Sequence, residues 1–180
     1  MQADDDQTLR LPVAAIHNDG DGDVDGRLAR FAHEQRAQGR RVLGLLMSTR
    51  DLDAGCRASM WLTDIDTGDE YLVSQPLGRD SRGCAADPQG FALASGVLRD
   101  ALTQSPDLVI CNRFGTLEAE NGGFVSELLA LMAEGIPVLT VVSTRHLEAW
   151  RRFAGEAPLL PNEPAAWARW LATVQGTGGG

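Results

Sequence analysis

The chain has 180 residues, 43% of them hydrophobic, and a formal charge of -9 from 25 acidic and 16 basic side chains. That balance excludes nucleic acid and anionic membranes as main partners, since both select basic surfaces, and no apolar run approaches the roughly 20 residues of a membrane span. All sixteen basic residues are arginine, which excludes a lysine Schiff base, a lysine general base and the lysine of a phosphate loop.

In chain order, residues 1–10 carry Asp4, Asp5 and Asp6 and no apolar core. They read as a disordered acidic tail rather than a signal peptide. The length favours a single α/β domain over 11–175. Residues 11–18 predict a buried strand and 19–25 an acidic glycine loop. Val24, Leu28, Phe31 and Ala32 then recur at helical spacing, and Gly39 stops that helix. Residues 42–48 predict a second buried strand, so the opening is a parallel βαβ unit.

The middle of the chain changes character. Residues 60–66 and 71–75 flank Thr67-Gly68-Asp69 and predict an antiparallel hairpin. An irregular stretch, 76–88, separates it from a helix whose face is Phe91, Ala94, Leu98, Ala101 and Leu102. The parallel rhythm then returns. Residues 108–112 predict a strand, Phe124, Leu128, Leu131 and Met132 a helix ended by Gly135, and 137–142 another strand. Thr144 is a candidate N-cap for a short helix through Leu147, Trp150 and Ala154. Trp167, Trp170, Leu171 and Val174 share one face of a last helix, as core or as a homo-oligomer contact. Residues 176–180 read as a flexible tail. The expected fold is a three-layer α/β sandwich with a mostly parallel sheet and an inserted antiparallel hairpin.

Ligands bind open parallel sheets at the carboxyl ends of the strands. That rule nominates 18–26, the loop around Cys56, 112–118 and 143–145. The first segment stands where a phosphate loop would stand. Such a loop needs glycines to wrap phosphates with backbone N–H groups, a lysine for charge and a Ser/Thr for magnesium. Asn18, Asp19, Gly20 and Gly22 supply glycines without Gly-Lys-Ser/Thr, and Asp19, Asp21, Asp23 and Asp25 repel phosphate. Arg27 offers partial compensation. Asp21-x-Asp23-x-Asp25-Gly26 also matches the first half of a calcium loop, but Ala32 stands where the closing glutamate belongs.

Residues 107–118 followed by Gly122-Gly123-Phe124 resemble the Walker B region of the thermophile-type nucleoside triphosphatases. The resemblance sets Asn112 at the magnesium-binding aspartate and Arg113 at the catalytic glutamate, while Gly115, Glu118 and Phe124 match. A wider resemblance is to an uncharacterised bacterial family of degenerate proteins with this P-loop-like fold, often encoded beside molybdate-transport genes. It rests on GLLMS after the second strand, Gly55-Cys56-Arg57, SQPLG with Arg82-Gly83-Cys84, Asp87-Pro88, the NRFG-x-x-E segment and GIPVLT. This resemblance implies the fold and, by association, a link to molybdenum. It implies no reaction.

Cys56-Arg57 and Arg82-Gly83-Cys84 flank the hairpin, whose ends an antiparallel pairing draws together. Two thiols, two arginines and Asp87 would form an oxyanion or soft-metal site, because the guanidinium fork donates two parallel hydrogen bonds. The bland alternative makes the thiols small buried hydrophobes and the arginines surface residues. A reversible Cys56–Cys84 disulfide is a third reading. Cys111, inside an apolar strand, is a core residue, and His17 has a structural role. Three widely spaced cysteines suggest reduced thiols in the cytoplasm. The leading expectation is therefore a non-catalytic or weakly catalytic binding or regulatory protein for molybdate or tungstate, with Asn112, Arg113 and Glu118 also among its ligand-binding residues. The alternatives are a nucleotide-binding protein or triphosphatase with an atypical phosphate site, and a thiol-based site at Cys56 and Cys84.

Overall fold

The computed structural model of the protein describes residues 11–52, 56–76 and 84–176. The elements in chain order are β1 (Val13–Asn18), α1 (Val24–Ala37), β2 (Val42–Leu52), β3 (Cys56–Asp64), β4 (Glu70–Leu72), β5 (Ser74–Pro76) and β6 (Cys84–Ala86). α2 (Pro88–Ala101) leads to β7 (Leu108–Phe114), the single turn α3 (Thr116–Ala119) and α4 (Val125–Ala133). Then follow β8 (Val138–Ser143), a 3-10 turn (Thr144–His146), α5 (Leu147–Ala154), β9 (Leu159–Leu160) and α6 (Pro164–Gly176).

Seven strands form one sheet in the order β4-β3-β2-β7-β8-β1-β9. The pairs β2–β7, β7–β8, β8–β1 and β1–β9 are parallel. β3 joins β2 antiparallel, and β4 joins β3 antiparallel. The hairpin expected around Thr67-Gly68-Asp69 is thus present, and it is continuous with the main sheet. β2 runs on to Leu52 and pairs with β3 along its length, so the hairpin widens the sheet instead of standing apart. β5 and β6 make a separate two-stranded ribbon.

Alternation along the strands splits the core in two. Val13 and Ala15, Val109 and Cys111, and Val138 and Val142 face α2, α4 and α5. Ala14 and Ile16, Leu108 and Ile110, and Leu139 and Val141 face α1 and α6. Strands apolar on both faces are what a sheet covered by helices on both sides requires. Trp167 and Trp170 lie in the second cluster, Trp167 edge-on to Phe31 with centroids 5.5 Å apart. The tryptophan face of α6 is therefore core. Gly44 interrupts β2 with φ +115°, and a Cβ there would overlap the Ile110 carbonyl of β7. Close strand approach explains a glycine inside an apolar strand.

No described helix is long and apolar enough to cross a membrane. α6 extends through Gly176, one residue into the expected tail. Residues 1–10 and 177–180 lie outside the described residues.

Candidate functional site

Two connections position the site. From β1 the chain passes through α1 on one face of the sheet; from β8 it passes through α5 on the other. β1 and β8 are neighbours, so the crevice outside their carboxyl ends is a topological switch point, the usual ligand position in such sheets.

The loop from Asn18 to Asp23 is short and self-satisfied. Asn18 Oδ1 accepts from the Gly20 N–H at 3.1 Å and Asp19 Oδ1 from the Asp21 N–H at 3.0 Å. Gly20 and Gly22 take φ +99° and +79°, conformations that L side chains rarely adopt. Asp23 caps α1, its Oδ1 accepting from the Gly26 N–H at 2.8 Å. The Arg27 guanidinium packs against Gly22 and donates to the Asn162 carbonyl at 2.8 Å, while Asn162 Nδ2 donates to the Asp21 carbonyl at 3.2 Å. The loop is thereby fastened to the segment between β9 and α6.

In a phosphate loop the lysine and the Ser/Thr open the helix. Here Val24 and Asp25 open α1. Asp25 faces β7. Its Oδ1 accepts from Asn112 Nδ2 at 2.9 Å, and Arg113 Nη2 donates to both of its oxygens at 2.9 Å. Parity explains the first contact: Leu108 and Ile110 face α1, so Asn112 does too. The second contact needs an irregularity, and the β7–β8 register shifts between Cys111 and Phe114. Phe114 returns to the opposite face, and both Asn112 and Arg113 reach Asp25. Asn112 is 1% exposed. Asn112 Oδ1 and Arg113 Nε are buried without partners, an arrangement that costs about 1–3 kcal/mol per group.

Glu118 does different work. It is buried on α3, with Oε2 accepting from the Gly115 N–H at 3.0 Å and Oε1 from the Phe124 N–H at 3.1 Å. It holds the turn from β7 to α4. The rim of the crevice carries groups that sequence reasoning assigned only in part. His17 Nε2 hydrogen-bonds to Thr144 Oγ1 at 2.9 Å. His146 Nδ1 hydrogen-bonds to Ser143 Oγ at 3.0 Å and its Nε2 to Thr116 Oγ1 at 3.2 Å. His146, not Thr144, is the N-cap of α5; Thr144 opens the 3-10 turn before it, with Ser143 at that turn's N-cap. His146 went unnoticed because its two partners are 3 and 30 residues away and no motif joins them.

The second nominated cluster is described in part. Backbone pairing sets Cys84 opposite Pro76 and Cys56 opposite Leu52. The side chains of Cys56, Arg57 and Cys84, and all of Arg82 and Gly83, lie outside the described residues. Asp87 caps α2, its Oδ1 accepting from the Gln89 N–H at 3.0 Å. Cys111 is fully buried, and burial, followed by Glu118 and Glu127, pushes its thiol well above the ordinary range. Among the described residues, no group of three or more His, Cys, Asp and Glu side chains is disposed to hold a metal. Cavities of 310 and 360 Å³ flank α2 and include none of Asp25, Asn112 and Arg113.

A human cancer-related nucleoside triphosphatase, known as a solution structure, shares the fold. The TM-score is 0.64 over 92% of this chain and 96% of that one, at 15% identity. The "Molybdenum import ATP-binding protein ModC 2" of Bradyrhizobium diazoefficiens is 38% identical over 143 residues. Those residues are 79% of this chain and 16% of that protein, so the chain spans a small part of the relative's length. The family described as "Protein of unknown function (DUF2478)" matches residues 13–170, and the chain belongs to it.

Proposed function

We propose that this protein is a binding or regulatory unit of molybdenum handling on a nucleoside-triphosphatase-like fold, one that does not live by triphosphate hydrolysis. The observation that carries the reading is the occupancy of the crevice. Arg113 Nη2 and Asn112 Nδ2 hold the Asp25 carboxylate at 2.9 Å where a hydrolase needs magnesium ligands and a base. A guanidinium cannot accept a proton at neutral pH, an amide is a weak magnesium ligand, and no lysine exists to replace Arg27. The phosphate site is degenerate on this reading.

The 38% identity to a molybdenum import protein supports the molybdenum link. Tetrahedral oxyanions, molybdate or tungstate, are the ligands proposed. The candidate residues are Cys56 and Arg57 on β3, Cys84 on β6, Asp87 before α2, and Arg82 and Gly83, with Asn112 and Arg113 at the crevice. One α/β unit over 11–175, acting in the cytoplasm, accords with this role. Calorimetric titration with molybdate and tungstate tests it. Binding that weakens in Arg82→Ala is the expected result; no heat from the wild type, or unchanged heat in the variant, overturns it.

A second reading keeps nucleotide chemistry, with Arg27 or Arg113 in place of lysine. The shared fold and the ATP-binding relative favour it. Magnesium-dependent phosphate release from a nucleotide panel, abolished by Arg113→Ala and retained in a surface variant such as Arg169→Ala, would establish it over the first. A thiol function at Cys56 and Cys84 is the third. Mild oxidation followed by mass spectrometry should then yield a Cys56–Cys84 link, and two freely alkylated thiols would refute it.

A further inference from the structure

We infer that Asp25 is an internal occupant of the crevice: its carboxylate fills the seat of an external oxyanion, and an oxyanion enters by displacing it from Arg113. This rests on the oxyanion-binding reading above.

The seat has the features of an anion site. Asp25 lies in the first turn of α1, a helix of 14 residues at the end of a strand–loop–helix turn. There the backbone N–H groups and the helix dipole favour negative charge. Arg113 and Asn112 then direct three hydrogen bonds at the same carboxylate. A free anion would be served by the same donors.

The fit to the internal carboxylate is incomplete. Arg113 uses one nitrogen, Nη2, for both oxygens, and its Nε is buried without a partner. A carboxylate only accepts, so the nitrogen of Asn112 has to face it, and the amide orientation is fixed. That leaves Asn112 Oδ1 unpartnered on a side chain that is 1% exposed. A planar carboxylate tied to α1 offers two oxygens in one plane. A tetrahedral anion offers four oxygens and can meet Nε and Nη2 side by side, the edge that guanidinium presents to oxyanions. An anion that retains a proton, such as inorganic phosphate, would also donate to Asn112 Oδ1.

Asp25 thus sets a threshold for binding. An arriving anion has to outcompete a carboxylate whose local concentration is fixed by the chain. Removing the charge at position 25 removes the competitor and one of the four loop carboxylates that repel the ligand.

The test is isothermal titration of the full chain with molybdate and, separately, inorganic phosphate. Wild type, Asp25→Asn and the double variant Asp25→Asn/Arg113→Ala are compared, with thermal melts to establish folding. Asp25→Asn should bind at least one of the two anions about tenfold tighter than wild type, and the double variant should lose that gain. Asp25→Ser, small and polar in a first helical turn, replaces Asp25→Asn if that variant does not fold. Affinity for both anions unchanged by the loss of Asp25 overturns the inference, even if wild type binds molybdate through other residues. A silent wild type with a binding Asp25→Asn variant upholds the internal occupant and removes oxyanion binding by the native chain.

Discussion

Glu118 and Phe124 are joined across the turn between β7 and α4 by a carboxylate–amide bond of 3.1 Å, with the carboxylate buried. The other oxygen of Glu118 holds the Gly115 N–H, so one side chain satisfies two backbone donors. Glu118→Ala leaves both without their acceptor. It should destabilise the protein by about 2–4 kcal/mol, read as a lower denaturant midpoint at unchanged slope. Gly123 takes φ +55°, and a Cβ there would overlap Glu118 Oε1. Gly123→Ala should therefore be destabilising by a similar amount, and the two substitutions together should cost less than their sum.

The Cys111 thiol gives a pH dependence with a definite sign. Its folded pKa is raised well above the ordinary value by burial first, then by Glu118 and Glu127. Below the unfolded thiol pKa of roughly 8.5 both states keep the proton and the contribution is fully present. Above it the unfolded chain releases the proton while the fold retains it. Stability should then fall with rising pH, by up to about 1.4 kcal/mol per unit. Denaturant midpoints between pH 7 and pH 10, compared with Cys111→Ala, check this. The variant should be less stable throughout and lose that part of the slope. A wild-type slope no steeper than the variant's would be the wrong result.

Arg113 and Asp25 are each a little over a quarter exposed. Their coupling in a double-mutant cycle should be about 1 kcal/mol and should shrink in high salt. Zero coupling at low ionic strength would mean that the pair does not persist in solution.

Two buried tryptophans should respond differently to the same change. Trp167 Nε1 donates to the Pro161 carbonyl at 2.8 Å. Trp150 Nε1 is buried without a partner, its ring packed edge-on to Phe114. Replacement by Phe removes a made hydrogen bond in one case and an unpaired donor in the other. Trp167→Phe should cost about 2–3 kcal/mol and Trp150→Phe about 1 kcal/mol. Equal losses would contradict this account.

Much of the architecture was legible in the sequence because it is written in local period. Continuous apolar runs named β1, β2, β7 and β8, and helical spacing named α1, α2, α4, α5 and α6. The β2–β3 pairing was not legible: no Asn-Gly or Asp-Gly signal stands between Leu52 and Cys56 to announce that these strands pair antiparallel. In the site, the absent lysine and the positions of Asn112 and Arg113 could be read from the chain. Their partner could not. Asp25 meets them 87 and 88 residues away, through a register shift that leaves no mark in composition. Glu118 matched a motif, yet its role as a backbone acceptor appears only when the turn to Phe124 is folded.

The hydroxyl–imidazole bonds at the rim have a mechanical meaning. His17 belongs to β1, Thr116 opens α3 after β7, Ser143 ends β8, and Thr144 and His146 follow it. His17–Thr144 and Ser143–His146–Thr116 therefore stitch three loop bases into one hoop. A loop displaced at one strand end drags its neighbours or breaks a bond in the hoop. A small guest lodged at one strand end would be connected by these bonds to the other two.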